Sequence, residues 1–468
     1  MSAAEDLLLG DGPAERIAAA VRAGKIAARA VAEAALAHIA AKDCVVNAFT
    51  DVTRERALAE ADAVDAARAA GRDPGPLAGV PYAVKNLVDI AGLPTRAGSR
   101  INRERPSAVR DGAVVLRMKA AGAVLLGALN MGEYAYDFTG ENAHDGPSRN
   151  PRDPGRMSGG SSGGSGAAVA AGFVPLAVGS DTNGSIRVPS SLCGIFGLKP
   201  TFGRVSRAGS FPFVASLDHL GPLARSVRDL AIAYDAMQGH DSADPVSANR
   251  HAEPAAPAIE QGATGLRIAV AAGYFERGGA PEAHQAVEVA AASLGVSRRI
   301  AIPEAHRARA AAYVITASEG GALHRERLAA RAADFDPATR DRFIAGALIP
   351  AAWYVQAQRF RRWYRARVLE LFREVHVLLA PATPVTAPAL GQAVMTLGGT
   401  EIPVRANLGL FTQPISFIGL PAAVAPLPRP GGLPIGIQII AAPWCEADAL
   451  RVAYELERRG VARAPAAP

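Results

Sequence analysis

Nine consecutive residues, Ser158-Gly159-Gly160-Ser161-Ser162-Gly163-Gly164-Ser165-Gly166, are all serine or glycine. The run lies between a loop, Arg149 to Met157, and two apolar elements, a helix over Ala167 to Ala171 and a strand over Val174 to Val178. A flexible linker rarely sits among buried elements of one domain, so a folded, functional loop is expected. Glycines that expose backbone N–H groups ahead of a helix suit a phosphate cradle. However, the run lacks the Gly-Lys-Ser/Thr ending of one phosphate motif and the preceding strand of the other. Gly159 to Gly163 also matches the pattern GxSxG, but a nucleophile elbow needs a strand before it, and here there is loop.

The surrounding chain alternates helices and strands, the pattern of an α/β protein with a mixed sheet. Ala14 to Ala40 and Asp51 to Ala70 read as two amphipathic helices, and Val80 to Asn86 as a short buried strand ending in polar residues. Asp111 to Ala121 is helical, and Val124 to Gly127 is a strand. Gly239 to Gly265 has no periodicity and is the best internal boundary, followed by a strand from Leu266 to Ala271. Arg307 to Arg331 and Asp341 to Arg373 are long helical patterns, and Val375 to Leu379 is a buried strand. A length of 468 residues suggests two to four domains.

A net charge of +6 is mild for this length and does not point to nucleic acid. Only five of the 50 basic residues are lysines: Lys25, Lys42, Lys85, Lys119 and Lys199. A lysine in an apolar setting therefore calls for a specific reason, and Lys85 is in one, at a strand end. Cys44, Cys193 and Cys445 are far apart and suggest neither a disulfide framework nor a zinc site, which fits a reducing cytoplasm. No export signal and no membrane-spanning helix are expected.

A second serine-bearing turn, Gly179-Ser180-Asp181-Thr182-Asn183-Gly184-Ser185-Ile186-Arg187, ends a strand with small residues and suits an oxyanion hole. A nucleophilic serine needs a base. The nine histidines are scattered without a triad-like local motif, although a distant one can still fold in. A buried lysine kept neutral can do the same work, and Lys85 fits that need best.

Taken together, Gly79 to Asn86, the Gly159 to Ser165 run, Gly179 to Pro189, Cys193 to Pro200 and Gly432 to Gln438 strongly resemble the amidase signature family. The resemblance covers roughly Leu77 to Gly460 and is specific in order and spacing. It implies a large twisted mixed β-sheet covered by helices on both faces. Residues 1–70 then form N-terminal helices packed on a catalytic domain of residues 71–468, in one compact unit. It further implies Ser185 as nucleophile, Ser161 as a bridging serine after a cis peptide, and Lys85 as base. Asp181, Thr182, Asn183 and Gly184 are expected at the oxyanion and substrate site. Many members have Gly where this chain has Asn183.

Within the family, the Asp181 to Phe196 stretch and Phe411 to Pro414 look most like the group that hydrolyses 1-carboxybiuret. The glutamine-hydrolysing component of the aminoacyl-tRNA amidotransferase is similar over the same length, but carries an Asp for the substrate's amino group where this chain has Gly409; Asn407 is the nearest polar side chain. Loss of that carboxylate disfavours glutamine and favours a small anionic urea or biuret derivative. General aliphatic or aryl amides are a further alternative. Arg187 and the run Arg359, Arg361, Arg362, Arg365 and Arg367, with Arg361 ranked above Arg359, are the candidates for binding the substrate carboxylate, although helical spacing sends the run to different faces and leaves most of it solvated. The resemblance implies no metal or organic cofactor, and a small helical partner subunit in a heterotetramer.

Overall fold

In the computed structural model, which describes residues 2–467, one sheet of eleven strands organises the chain. In chain order these are β1 (Phe49–Val52), β2 (Pro81–Lys85), β3 (Val124–Leu129), β4 (Leu176–Ser180), β5 (Phe196–Lys199) and β6 (Leu220–Ala224). They continue as β7 (Ile268–Ala272), β8 (Arg299–Ala301), β9 (Val377–Pro381), β10 (Ala422–Arg429) and β11 (Gly432–Ala441). Their spatial order is β1-β3-β2-β4-β6-β5-β10-β11-β9-β7-β8. β2 runs parallel to both β3 and β4, whereas β6, β5, β10 and β11 are joined by antiparallel pairings, so the sheet is mixed as expected. Every residue of β2, β3, β4, β5, β6 and β9 is buried, which requires helices on both faces.

The chain on either side of residues 239–265 enters this same sheet, because β7 pairs with β9 and β8. That segment is therefore a surface connection, pinned by the buried Ala255 and Ile259, and not a division of the sheet. The N-terminal region holds four helices, Ala3–Leu9, Pro13–Arg22, Ala28–Val46 and Arg54–Ala69. The Ala14 to Ala40 pattern breaks at Gly24, which takes φ 68°. Asp51 and Val52 belong to the edge strand β1 and not to the following helix. Ile17, Val21, Val31 and Leu36 from these helices join the same apolar core as the strands.

The Asp341 to Arg373 pattern is two helices, Pro337–Ala347 and Ala351–Leu371. Pro350 separates them: it has no N–H to give to a continuing helix, and its ring excludes helical backbone before it.

Candidate active site

The parallel register of β2 with β4, Val84 opposite Val178, brings the last residues of the two strands together at one edge. Lys85 ends β2 and Ser180 ends β4, and Lys85 Nζ lies 2.8 Å from Ser180 Oγ and 2.6 Å from Ser161 Oγ. Lys85 is completely buried. Burial disfavours its ammonium form and brings it down to about 7, against the opposing pull of Asp218, Asp181 and Asp137. At neutral pH a large share of Lys85 is an amine, able to accept the Ser161 proton while donating to Ser180.

Ser161 follows a cis peptide bond from Gly160, and the whole serine–glycine run is stitched in place. Ser162 Oγ donates to Ser180 O (3.1 Å) and accepts from Ser180 N–H, Ser165 Oγ donates to Val178 O (3.1 Å), and Cys193 Sγ donates to Ser158 O. The glycines answer to crowding. A Cβ on Gly160 would stand 2.5 Å from Asp137 Oδ2, and one on Gly164 would stand 2.4 Å from Ala48 O and 2.6 Å from Asn130 N. The run is glycine-rich because neighbouring atoms fill the space where side chains would go. The N–H of Gly164 is also spent on Asn130 O, which argues against a phosphate cradle.

After β4 the chain turns through Asp181 to Ile186 into the helix Arg187–Cys193. None of the backbone N–H groups of Thr182, Asn183, Gly184 and Ser185 is hydrogen-bonded to another described residue. Four unspent donors beside a serine are what a developing oxyanion needs. Side chains fix the loop from outside: Thr182 Oγ1 donates to Asp218 (2.6 Å), and Thr412 Oγ1 donates to Asn183 O (2.7 Å). Gly184 has φ 144°, and a Cβ there would fall 2.1 Å from Thr412 Oγ1. Ser185 is almost fully buried, and no hydrogen bond joins it to Ser161 among the described residues.

Asp181 and Arg187 brace the two ends of this loop. Arg187 is fully buried; its Nε and Nη2 reach the two Asp181 oxygens at 3.0 and 3.1 Å, Nη1 donates to Gln438 Oε1 (2.9 Å), and Nη2 also meets Ser416 Oγ. Burial alone would raise the Asp181 carboxyl, but Arg187 beside it holds it well below the usual range. Arg187 is thus a brace whose three nitrogens are all engaged, and the expectation that it grips a substrate carboxylate does not match its surroundings. Asp181 likewise serves the loop and not the oxyanion.

The histidine nearest this loop is His219. Its Nδ1 donates to Asp181 O (2.9 Å) and its Nε2 lies 3.3 Å from Lys199 Nζ. Burial, then the Lys199 charge, push it well below its ordinary range, so it is a neutral structural group. Among the described residues no histidine is hydrogen-bonded to Ser161 or Ser185.

A cavity of about 10 Å³ opens on Ser185, walled by Asn183, Phe138, Tyr313, Thr316, Gln413 and Arg342 among others. That is the room of about one water molecule. Asn183 donates its amide N–H to Thr316 Oγ1 (2.8 Å), and its buried Oδ1 has no partner. Arg342, from the helix Pro337–Ala347, donates through Nη1 to Tyr136 O (2.7 Å), and its guanidinium carbon stands 3.5 Å from the centre of the Tyr136 ring. Among the described residues it forms no salt bridge, so its Nε and Nη2 remain available. Sequence reasoning did not single out Arg342 and named Arg187 and Arg361 for the substrate carboxylate. Arg361 instead donates to the carbonyls of Phe417 (2.5 Å) and Ser216 (2.8 Å) and lines a different cleft. At Gly409, a Cβ would lie 2.3 Å from Phe138 Cζ: the Phe138 ring occupies the space that a carboxylate side chain would need.

Residues 30–450 match the Amidase family. The chain belongs to the amidase family. It is 58% identical to AtzE, the 1-carboxybiuret hydrolase component of Pseudomonas sp. (strain ADP), over 95% of this chain and 97% of that one. It is 37% identical to a component of the glutamyl-tRNA(Gln) amidotransferase of Chromohalobacter salexigens, over 94% and 95% of the two chains. Among solved structures, one described as an unexpected vestigial protein complex revealing the origins of an s-triazine catabolic enzyme superposes with a TM-score of 0.95. That match is 57% identical and covers 96% of this amidase and 99% of the other chain. The sheet and its helices are therefore the family's fold, and the family's chemistry is amide hydrolysis.

Proposed function

We propose that this amidase releases ammonia from a small carboxylated urea- or biuret-type substrate, 1-carboxybiuret being the compound for which its 58%-identical relative is named. One observation carries the reading: the cavity beside Ser185 offers a guanidinium with two unspent nitrogens and an unpaired acceptor, and its one carboxylate, Asp137, is already paired with Arg405. Arg342 supplies the charge for a substrate carboxylate. Asn183 Oδ1 accepts from a urea N–H, which such substrates have in excess. The Phe138 ring leaves a cationic amino group without a counter-charge, which separates this substrate from glutamine.

In this mechanism neutral Lys85 takes the Ser161 proton as Ser161 takes that of Ser185, and Ser185 Oγ forms a bond to the amide carbon. The oxyanion is met by the N–H groups of the Thr182 to Ser185 turn, each worth about 3–4 kcal/mol if it acts as a measured oxyanion donor. The proton returns along the same relay to the leaving nitrogen, the C–N bond breaks, and ammonia departs from an acyl-Ser185. Water, losing its proton to the relay, then frees the serine.

The partner belongs to the same reading: a small helical subunit, joined in a heterotetramer. Two things support it: the relative is itself named as one component of an enzyme, and Ile344, Leu348, Trp353 and Val355 are exposed on neighbouring helices. Cytoplasmic residence is also proposed, with the three free cysteines as support. The test is ammonia release from a panel of 1-carboxybiuret, biuret, allophanate, malonamate, glutamine and aliphatic amides. Carboxylated ureas should rank first, and Ser185→Ala should be inactive. Preference for glutamine would overturn the substrate, and turnover by the variant would overturn the nucleophile.

A further inference from the structure

The helix Ala351–Leu371 forms one wall of a second cleft, of about 320 Å³, at the low end for small-molecule sites. Arg361, Arg362 and Arg365 line it, and no carboxylate among the described residues does. Arg361 and Arg365 are four apart and share a helix face. Arg362 and Arg365 form no salt bridge among the described residues, in a chain where arginine–carboxylate pairs are otherwise common. Arg361 is half-buried, spends Nε and Nη2 on backbone carbonyls, and keeps Nη1 unspent. Its nearest acid, Glu319, is already taken by the N–H and Oγ of Ser216 and by Tyr354 OH. Burial, with Arg365 as a like charge, lowers the Arg361 guanidinium.

The opposite wall is Trp444, held at φ 71° with its N–H on Thr201 Oγ1 (2.8 Å). The guanidiniums of Arg204 and Arg250 stand 4.9 and 4.8 Å from its ring. These two arginines are paired with carboxylates, Arg204 with Glu253 and Glu446 and Arg250 with Glu253, whereas the three on the helix form no salt bridge among the described residues.

We propose that this cleft binds a small multivalent oxyanion through Arg361, Arg362 and Arg365, and that occupancy adjusts the catalytic cavity through Arg361. Guanidiniums grip phosphate or carboxylate oxygens in pairs, and three uncompensated charges around one opening call for more than one anionic group. The link to catalysis is in the two carbonyls that Arg361 holds. Phe417 closes the short helix Gln413–Ser416, whose Gln413 walls the cavity and whose Ser416 Oγ donates to Asp181 (2.9 Å). Ser216 lies between Phe213, another cavity residue, and Asp218, the acceptor for Thr182. An anion that draws on the Arg361 guanidinium changes its hold on both segments, giving the two states different anion affinities.

The test uses the full chain with citrate and, separately, pyrophosphate, at an ionic strength held constant with NaCl. Either anion should raise the melting temperature saturably, by about 2 °C or more well above its Kd. The rise should vanish in the double variant Arg362→Gln/Arg365→Gln. A response to citrate alone identifies a polycarboxylate site, and one to pyrophosphate alone a phosphate site. In the wild type the anion should change KM for amide cleavage by about fivefold, a response absent from the variant. No saturable rise, or an equal rise in the variant or with NaCl alone, would overturn the site. Saturable binding with unaltered KM and kcat would overturn the link through Arg361. Melting is read without substrate, so it stands whichever amide the enzyme cleaves.

Discussion

The sharpest consequence of a lysine base lies in the pH dependence of turnover. Lys85 is held at about 7 by burial, and only its neutral form can take a proton. With that value, about 9% of the enzyme is competent at pH 6 and about 1% at pH 5, so kcat/KM should fall about tenfold per unit below 7 and level off above 8. The assay follows ammonia release from whichever amide of the panel is cleaved fastest, at low concentration so that the free enzyme's ionisation is read. Lys199, also lowered to about 7 by burial and then by Arg187, would titrate in the same range. Asp218→Asn separates the two. Asp218 is the first of the charges that raise Lys85, and it is not among those acting on Lys199. Removing the carboxylate charge favours neutral Lys85, so the acid limb should move to lower pH while an amide oxygen can still accept from Thr182. A flat profile between pH 5.5 and 8, or a limb that stays in place in Asp218→Asn, would refute Lys85 as the base.

Two substitutions test the cavity and its brace. Arg342→Gln should lower kcat/KM for carboxylated substrates about 10- to 150-fold, the loss of about 1.5–3 kcal/mol from a charge-assisted hydrogen bond, and leave uncharged biuret largely unaffected; equal losses on both would remove Arg342 from carboxylate recognition. Asp181→Asn leaves buried Arg187 without its counter-charge and should cost about 3–5 kcal/mol in urea unfolding, together with activity; an unchanged midpoint would show that the pair does not hold the loop.

Lys85 was legible in the sequence because lysine is scarce here and because a polar residue at the end of a buried strand is conspicuous. Ser161 and Ser185 were singled out only by the resemblance to the amidase signature family, while the mixed sheet was legible through alternating periodicity. Arg342 was not. In an arginine-rich chain it carries no contrast, and its position depends on contacts distant in sequence: Glu133 accepts from Asp336 N–H (2.8 Å) and Thr339 Oγ1 (2.6 Å), fixing the first turn of the Arg342 helix. Reading one helix across Pro350 also hid the direction in which that turn points. Arg187 misled for a related reason. Its neighbour in sequence is Ser185, but its guanidinium turns back to Asp181, Ser416 and Gln438, a choice made by long-range packing.

The arrangement of charge around Ser185 ties these pieces together. Arg187 is cancelled by Asp181, Arg405 by Asp137 and Glu141, and Lys85 by its own burial. In the proposed reading, what would face the substrate among the described cavity residues is a set of neutral N–H dipoles, the Arg342 guanidinium and an Asp137 carboxylate already paired with Arg405. Neutral dipoles can stabilise an oxyanion without lowering Lys85 further, as an adjacent cation would. A substrate carboxylate arriving alone would do the opposite, favouring ammonium Lys85 and shutting off the base. Arg342 meets that carboxylate with the opposite charge, so the anionic group that identifies the substrate can enter the cavity without silencing the lysine that must act on it.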